Sequence, residues 1–496
     1  MGQSYSRPER RALTLLAATL ALASANAATI GAIAPEVRRA FGVDNTAIGV
    51  LASSATAAAA VATVPFGILV DRWDRTRLLA ISALLAGAAT VASSLAGSFA
   101  FLFVTRVALG ALTGAAGPAV ASLLGDTFHE SRRGRSYGTV LAGELVGAGA
   151  GFAVAGELAA VSWRASFIAL APPAFVLTWF LWRLPEPLRG RTVSRPSIGP
   201  SREMANERAP GAEGSVEGVL GDSVSDVANQ DVPNQEVPSD EVPSDEVPSE
   251  EMPSDEVPTE EVPSEEVLAS WRRLSLRRTV LYVLSVPTFV IFVFSGACSY
   301  FYFAGLRTFG VEYAGDQYHV SQAVATAMFL LVGTGGLAGV LVSGRLGDFL
   351  ERYHPAGRVL VAAIALLSAS VAFVPAIVSR SYAVGLPLMT VGAFGLAAAI
   401  PPISAGRLQV MPPGLWGRAE GIQGVLRQVG DALGPFAFGF AGDRLSGGGR
   451  AGLQSSFLVM LVALVTAGAV LLLALRTYPS DVEDARVAAL LPPGSS

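Results

Sequence analysis

Lysine is absent from this chain: all 35 of its basic residues are arginine. That absence removes a P-loop nucleotide site, whose lysine must reach the phosphates, and with it ATP hydrolysis by this chain itself. Cysteine occurs once (Cys298), so neither an internal disulfide nor a cysteine-based metal site can form. The three histidines (His129, His319, His354) are scattered and make no HExxH pair, so no metal and no cofactor is expected. Charge is scarce too: 15% of 496 residues, against about 25% in an ordinary soluble domain. No nucleophile, base and orienting group converge on any motif, so the chain is not expected to be an enzyme. A nucleic-acid partner is not expected either.

What fills the chain instead is apolar. Half of it (51%) is hydrophobic and the mean hydropathy is +0.49. Crossing a bilayer takes about 20 apolar residues at 1.5 Å each. Such blocks fall near 12–34, 46–70, 77–97, 99–124, 136–160 and 165–183, then near 279–303, 321–343, 358–378, 382–405, 418–441 and 454–475. The expected fold is therefore an all-α membrane protein of twelve transmembrane helices, six on either side of a long interruption. The first block is too long for a signal peptide and is read as a span.

Arginine sets the orientation. With the N-terminus inside, 26 arginines fall on inside segments, seven outside (Arg38, Arg39, Arg164, Arg307, Arg380, Arg444, Arg450) and two, Arg106 and Arg427, within spans. This bias places both termini and the central loop in the cytoplasm of a cell-membrane protein. The net charge of −5 hides it, because Glu203–Glu266 holds 20 acids and one arginine. There the pentapeptide of EVPSDEVPSDEVPSEEMPSDEVPTEEVPSEEV recurs. Proline every fifth residue forbids a helix and like charges repel, so an extended, disordered loop is expected, as an inert spacer or a tether sampling the arginine-rich face. The expected divisions are a six-helix bundle over 1–185, this loop over 186–276, a second bundle over 277–478 and a cytoplasmic tail over 479–496.

The two halves repeat each other. At an offset of 277, Gly67 falls on Gly344, Asp71 on Asp348, Asp74 on Glu351 and Arg75 on Arg352; at 283, Arg135 falls on Arg418, Gly147 on Gly430 and Gly151 on Gly434. Pseudo-symmetric halves handling a substrate between them are the architecture of a secondary transporter. Gly67, Asp71, Arg72, Arg75 and Arg77, with Gly344, Asp348 and Arg352, are then candidates for a cytoplasmic gate. The glycines would permit close helix approach and the aspartates would meet arginine or a helix N-terminus of the other half.

Gly67-x-x-x-Asp71-Arg72-x-Asp74-Arg75-x-Arg77 resembles the loop 2–3 signature of the major facilitator superfamily, and Arg106-x-x-x-Gly110 resembles its fourth-helix motif. More narrowly, AFGVDNTAIGVL (40–51), PFGILVDRWDR (65–75), Asp126 in LLGDTF, LPEPLRG (184–190) and LRQVGDALGPFAFGFAGD (426–443) are similar to the spinster-like subgroup, associated with lysophospholipids and sphingolipid phosphates. Two positions depart from that pattern: Asn26 is followed by Thr29 and Ile30 in place of an Asp-Arg pair, and Thr113 stands where the subgroup has glutamate. The resemblance implies alternating access to an amphipathic, lipid-like substrate, exported by a monomer with protons as possible co-substrate. Multidrug or metabolite efflux, and a transport-dead scaffold using the acidic loop, are the alternatives.

Ionisable residues within spans cost at least ~2.5 kcal/mol each, so each is a functional candidate. Arg106 could hold a phosphate or carboxylate through a bidentate pair. Asn26, Thr29 and Thr113, with Tyr300 and Tyr302 of CSYFYF (298–303) at the end of span 7, would complete an amphipathic substrate cavity. Glu144, Arg427 and Asp431 are the remaining intramembrane charges and the candidates for proton coupling. Arg427 and Asp431, spaced i, i+4, are expected to pair within span 11. The glycines of GELVGAGAGFAVAG (143–156) point to close packing of span 5.

Overall fold

A computed structural model of the chain describes residues 5–128, 130–187, 265–445 and 449–493, and leaves some side chains within these stretches, that of Asp71 among them, undescribed. The acidic repeats, and the disorder expected of them, lie outside the described residues. The first half is helical throughout: α1 (Arg7–Phe41), α2 (Asn45–Arg72), α3 (Arg75–Ser94), α4 (Phe99–Thr113), α5 (Ala116–Thr127), α6 (Glu130–Ala159) and α7 (Trp163–Trp182). The second half comprises α8 (Glu265–Arg272), α9 (Leu276–Ser285), α10 (Pro287–Tyr318), α11 (Gln322–Glu351), α12 (Gly357–Val378), α13 (Tyr382–Ala398), α14 (Ile400–Gln409), α15 (Trp416–Arg444) and α16 (Gly449–Leu490).

The pairs α4–α5 and α13–α14 are each one span broken in the middle, at Gly114–Ala115 and at Ala399, so each half holds six spans and its fourth is interrupted. The helix boundaries have local causes. Ser6 and Glu9 form a capping box at the start of α1, and Gly42 ends it in the left-handed conformation at φ 63°. Asp44 accepts from the Ala47 N–H to start α2. Among the described residues, eleven spans are long and apolar enough to cross a membrane. The twelfth, α15, is 29 residues long but polar, with Arg427 and Asp431 in its middle.

One boundary differs from the sequence expectation. The block near 279–303 is two helices: α9, and a span that starts at Pro287 and runs on to Tyr318. A proline at the first helical position has no N–H to lose and a preset φ, which fixes the start there. Consequently CSYFYF lies mid-span rather than at a membrane interface. At the other end of the half, α16 continues through Pro479 to Leu490, so the segment expected as a tail continues the last span as helix as far as that residue. Trp271 donates its indole N–H to the Ala488 and Leu491 carbonyls, tying α8 to that helix end.

Glycines of the offset-283 repeat are places where helices touch. A Cβ on Gly147 of α6 would stand 2.2 Å from the Ala21 carbonyl oxygen of α1, and one on Gly151 would stand 2.4 Å from Ala25 Cβ. In the other half, Gly430 and Gly434 of α15 would each put a Cβ 2.3 Å from carbonyl oxygens of α10, those of Ala297 and Phe301. The offset-283 repeat is thus a packing repeat: small residues at i, i+4 let two backbones meet.

Candidate functional site

A cavity of about 450 Å³ lies between the halves, lined by α1, α2, α4, α5 and α6 from one and by Arg307, Thr308, Arg427, Gln428 and Asp431 of α10 and α15 from the other. Its size suits a drug- or metabolite-sized ligand. Of the residues expected to contact substrate, Arg106, Asn26 and Thr113 line it. Thr29 does not: its hydroxyl donates to the Ala25 carbonyl at 2.8 Å and the residue is fully buried. Tyr302 does not either. It is buried in the second half, packed on Phe373 and Phe438. Tyr300 stands outside the lining residues and accepts a hydrogen bond from Arg427 Nη1 at 3.1 Å, with the guanidinium 4.7 Å from its ring.

Arg106 is 1% exposed. Its Nη2 donates to the Asn26 carbonyl at 2.8 Å, and its carbon Cζ sits 5.6 Å from the Phe167 ring. Its Nε and Nη1 have no hydrogen-bond partner among the described residues. Leaving buried donors of a cation unpaired costs about 1–3 kcal/mol or more. Asn26 is itself committed: Nδ2 donates to Leu22 and Oδ1 accepts from Thr90. It therefore holds α1 against α3 and presents a carbonyl, not a side chain, to the arginine. Thr113 donates to the Gly110 carbonyl at 2.9 Å.

The three coupling candidates all line the cavity, but their partners differ from expectation. Asp431 meets Arg307 of α10, at 3.4 Å, and not Arg427. Arg427 turns instead to Tyr300. Glu144 accepts from Ser24 at 3.3 Å. Arg307 was assigned by sequence to an outside segment; the extension of α10 to Tyr318 puts it within the span and in the cavity wall. The lining residues then carry three arginines (106, 307, 427) against two acids (144, 431), an excess of one positive charge.

On the arginine-rich face, the candidate gate residues Arg75 and Asp348 form ion pairs within their own halves. Arg75 is buried at the first turn of α3. It pairs with Asp126 at the end of α5 and with Glu186 at 2.7 Å, and donates to Ser122 and to the Pro187 carbonyl. Glu186 also accepts from the Thr76 N–H at 2.9 Å. Burial pushes the Glu186 carboxyl up, but the bonds from Thr76 and Arg75 outweigh it and leave the group below its ordinary 4.5. Three stretches of the subgroup resemblance, around Arg75, Asp126 and Glu186, meet in this one knot.

The counterpart in the second half is Arg358, bonded to Asp348 at 2.8 Å and Glu351 at 2.7 Å. Arg352, which the offset matched to Arg75, is exposed at the end of α11, because the turn before α12 is longer than that before α3. Arg72 is exposed, and Arg77 is exposed and 3.3 Å from Asp74. A Cβ on Gly67 would meet nothing within 4 Å and one on Gly344 only Pro401 at 4.0 Å, so neither permits a close approach here.

The halves are joined at the opposite, far face, which sequence reasoning did not single out. Asp443 of α15 accepts from the Asn45 N–H and side chain and from the Thr46 N–H and hydroxyl, the last two at 2.6 Å. Arg38 bridges Asn45 at 3.2 Å and Glu312 of α10 at 2.6 Å. Gly31 on Arg307, Gly49 on Pro435 and Gly439 on Asn45 bring backbones together across the halves. Phe152 stacks on Phe329, and Gln322 donates to the Ala32 carbonyl. The cavity lies between this closure and the arginine-rich face.

The profile of the Major Facilitator Superfamily matches residues 15–435 and again 292–492. A 4-hydroxybenzoate transporter, PcaK, of Pseudomonas putida is 27% identical over 211 residues, 42% of this chain; the match spans about half, 47%, of that relative's length. Among solved structures, a bacterial homolog to the human lysosomal transporter Spinster, inward-facing and unoccupied, superposes with a TM-score of 0.71 at 17% identity, covering 96% of this chain and 99% of that one. A D-xylose-proton symporter gives 0.61 at 15% identity, covering 93% and 97%. At these identities the structural likeness shows a shared fold. The profile covers most of the sequence, and the chain belongs to the Major Facilitator Superfamily.

Proposed function

We propose that the chain is a monomeric secondary transporter that exports an amphipathic, lipid-like molecule with an anionic head group by alternating access. Its arginine-rich face, both termini and the 186–276 loop are cytoplasmic under the positive-inside rule, with bundles at 1–185 and 277–478 and a 479–496 tail. The closed far face then makes the arrangement described above inward-facing.

Arg106 is the observation that carries this reading. A buried guanidinium with two unpartnered nitrogens, in a cavity of net positive charge, is built to accept an anion. The apolar walls from α1, α2 and α4 suit the rest of an amphipathic cargo.

The test is uptake of a fluorescent lysophospholipid into proteoliposomes, with and without a pH gradient, for the parent and Arg106→Ala. Transport above empty vesicles that falls about tenfold or more in the variant supports the reading, as loss of a charged hydrogen bond predicts. Acceleration by the gradient supports proton coupling; absence of any lysolipid signal from folded protein overturns the lipid cargo.

A second cargo, an aromatic carboxylate, is favoured by the sequence match to the 4-hydroxybenzoate transporter and by the same arginine excess. Labelled 4-hydroxybenzoate in the same vesicles separates the two. Dependence on Glu144 with indifference to Arg106 would instead mark a cation or drug carrier. A scaffold would lose its function on deletion of Asp222–Val262, which a transporter survives.

A further inference from the structure

Glu312 stands out among the buried charges that the cavity does not use. It is 2% exposed near the far end of α10, and apart from one ion pair its carboxylate has no polar partner among the described residues. Its one close cation is Arg38 of α1, at 2.6 Å, an ion pair that crosses from one half to the other. Arg38 is partly solvated, with its side chain 27% exposed. It also donates to Asn45, whose N–H and amide bind Asp443. A chain of polar contacts therefore runs Glu312–Arg38–Asn45–Asp443, from the second half through two residues of the first and back to the second along the far-face closure.

The charges around Glu312 are mostly of its own sign. Glu36 lies on α1, Asp316 one turn further along α10, and Asp443 on α15. Arg39 is taken by Glu36. A buried carboxylate whose sole support is one partly solvated cation, with three acids around it, stays ionised only while that cation remains in place. Protonating it removes an attraction between α1 and α10 and leaves Arg38 free to hydrate. The cavity acids are placed differently: Asp431 pairs with Arg307 of its own half, and Glu144 contacts Ser24 of its own half.

We infer that Glu312 is a proton-binding site whose protonation opens the far face. In the closed arrangement it is ionised and clasps Arg38; a proton arriving from the far side neutralises it, and the halves part there. The inference rests on alternating access but on no particular cargo, and its test needs no substrate, so its failure is distinguishable from failure of the lipid reading.

The test uses full-length protein in lipid nanodiscs, with Cys298→Ser and spin labels at Val161→Cys and Arg380→Cys. Both positions are exposed in far-face turns, one in each half. Distances between them are measured at acidic and mildly alkaline pH. The expected result is a longer-distance population that grows on acidification. Glu312→Gln should show it at both pH values, as should Arg38→Gln, which serves if the first variant folds poorly. Arg38→Lys should keep the parent's pH response. A parent distance indifferent to pH, or a Glu312→Gln profile identical to the parent's, overturns the proposal.

Discussion

Asp443 caps a helix to which it does not belong: its Oδ2 accepts from both the N–H and the hydroxyl of Thr46 at 2.6 Å, 397 residues away in the chain. A carboxylate at a helix N-terminus satisfies donors that have no partner within the helix and meets the positive end of its dipole. Charge-assisted bonds of this kind contribute about 1.5–3 kcal/mol each. Asp443→Ala should therefore shift the balance away from far-face closure by tenfold or more. In a Cys298→Ser background, a cysteine at Thr56 in the cavity wall should become reactive to a membrane-impermeant thiol reagent added on the far side. Unchanged reactivity would show that the backbone contacts alone hold this face shut.

The two glycine positions separate packing from permissiveness. Gly147→Leu forces a side chain into the Ala21 backbone, which cannot yield, and overpacking of this kind costs about 1–3 kcal/mol or more. Monodisperse protein should be lost or its melting temperature should fall by several degrees. Gly67→Ala meets open space in this arrangement and should be neutral or raise stability by about 0.5–1 kcal/mol through helix propensity. If Gly67→Ala is well folded yet slow in transport, its glycine is needed in the other state of the cycle.

Arg75 and Arg358 hold equivalent places in the two halves and should differ in cost. The Arg75 side chain is 2% exposed and joins α3, α5 and the segment after α7. Removing one partner of a buried pair costs about 3–5 kcal/mol, so Arg75→Ala should unfold or strongly destabilise the first half. Asp348, on the other hand, is 66% exposed, and a pair with so wet a partner contributes about 0–1 kcal/mol, while Glu351 is 27% exposed and Arg358 itself 17%. Arg358→Ala should therefore lower the melting temperature less than Arg75→Ala does.

Acid should weaken the same knot. Glu186 titrates below its unfolded value of 4.5, so its contribution is complete above that pH and disappears as pH falls through the lower, folded value. Thermal unfolding followed from neutral to strongly acidic pH should show the parent losing stability below 4.5 more steeply than Glu186→Gln. Parallel curves would mean that the bonds from Thr76 and Arg75 do not depend on the charge.

What could be read from the chain is what depends on local composition or short spacing. Eleven of the twelve spans follow from hydropathy, the positions of Gly147 and Gly430 from the small-residue repeat, and the placement of Arg106 in a cavity wall from the cost of a charge in an apolar segment. Span 7 was misplaced because α9 is itself apolar on one side, and nothing but the break at Pro287 separates it from α10. That shift carried Tyr302 into the core and left Arg307 on the wrong side of a boundary.

The amino-acid order by itself determined that this protein lies in a membrane, that it is two copies of one bundle, and that arginine marks one face. Hydropathy, repetition and charge bias are properties of segments, and segments keep them whatever they touch. Only the tertiary structure decided the pairings. Asp431 bonds Arg307 and not its i, i+4 neighbour, Arg358 and not Arg352 answers Arg75, and the far face closes through Arg38, Glu312 and Asp443. Each of these depends on which side chains hundreds of residues apart, or across a turn of different length, are brought within about 3 Å, and a charged group binds whichever partner the packing brings that close.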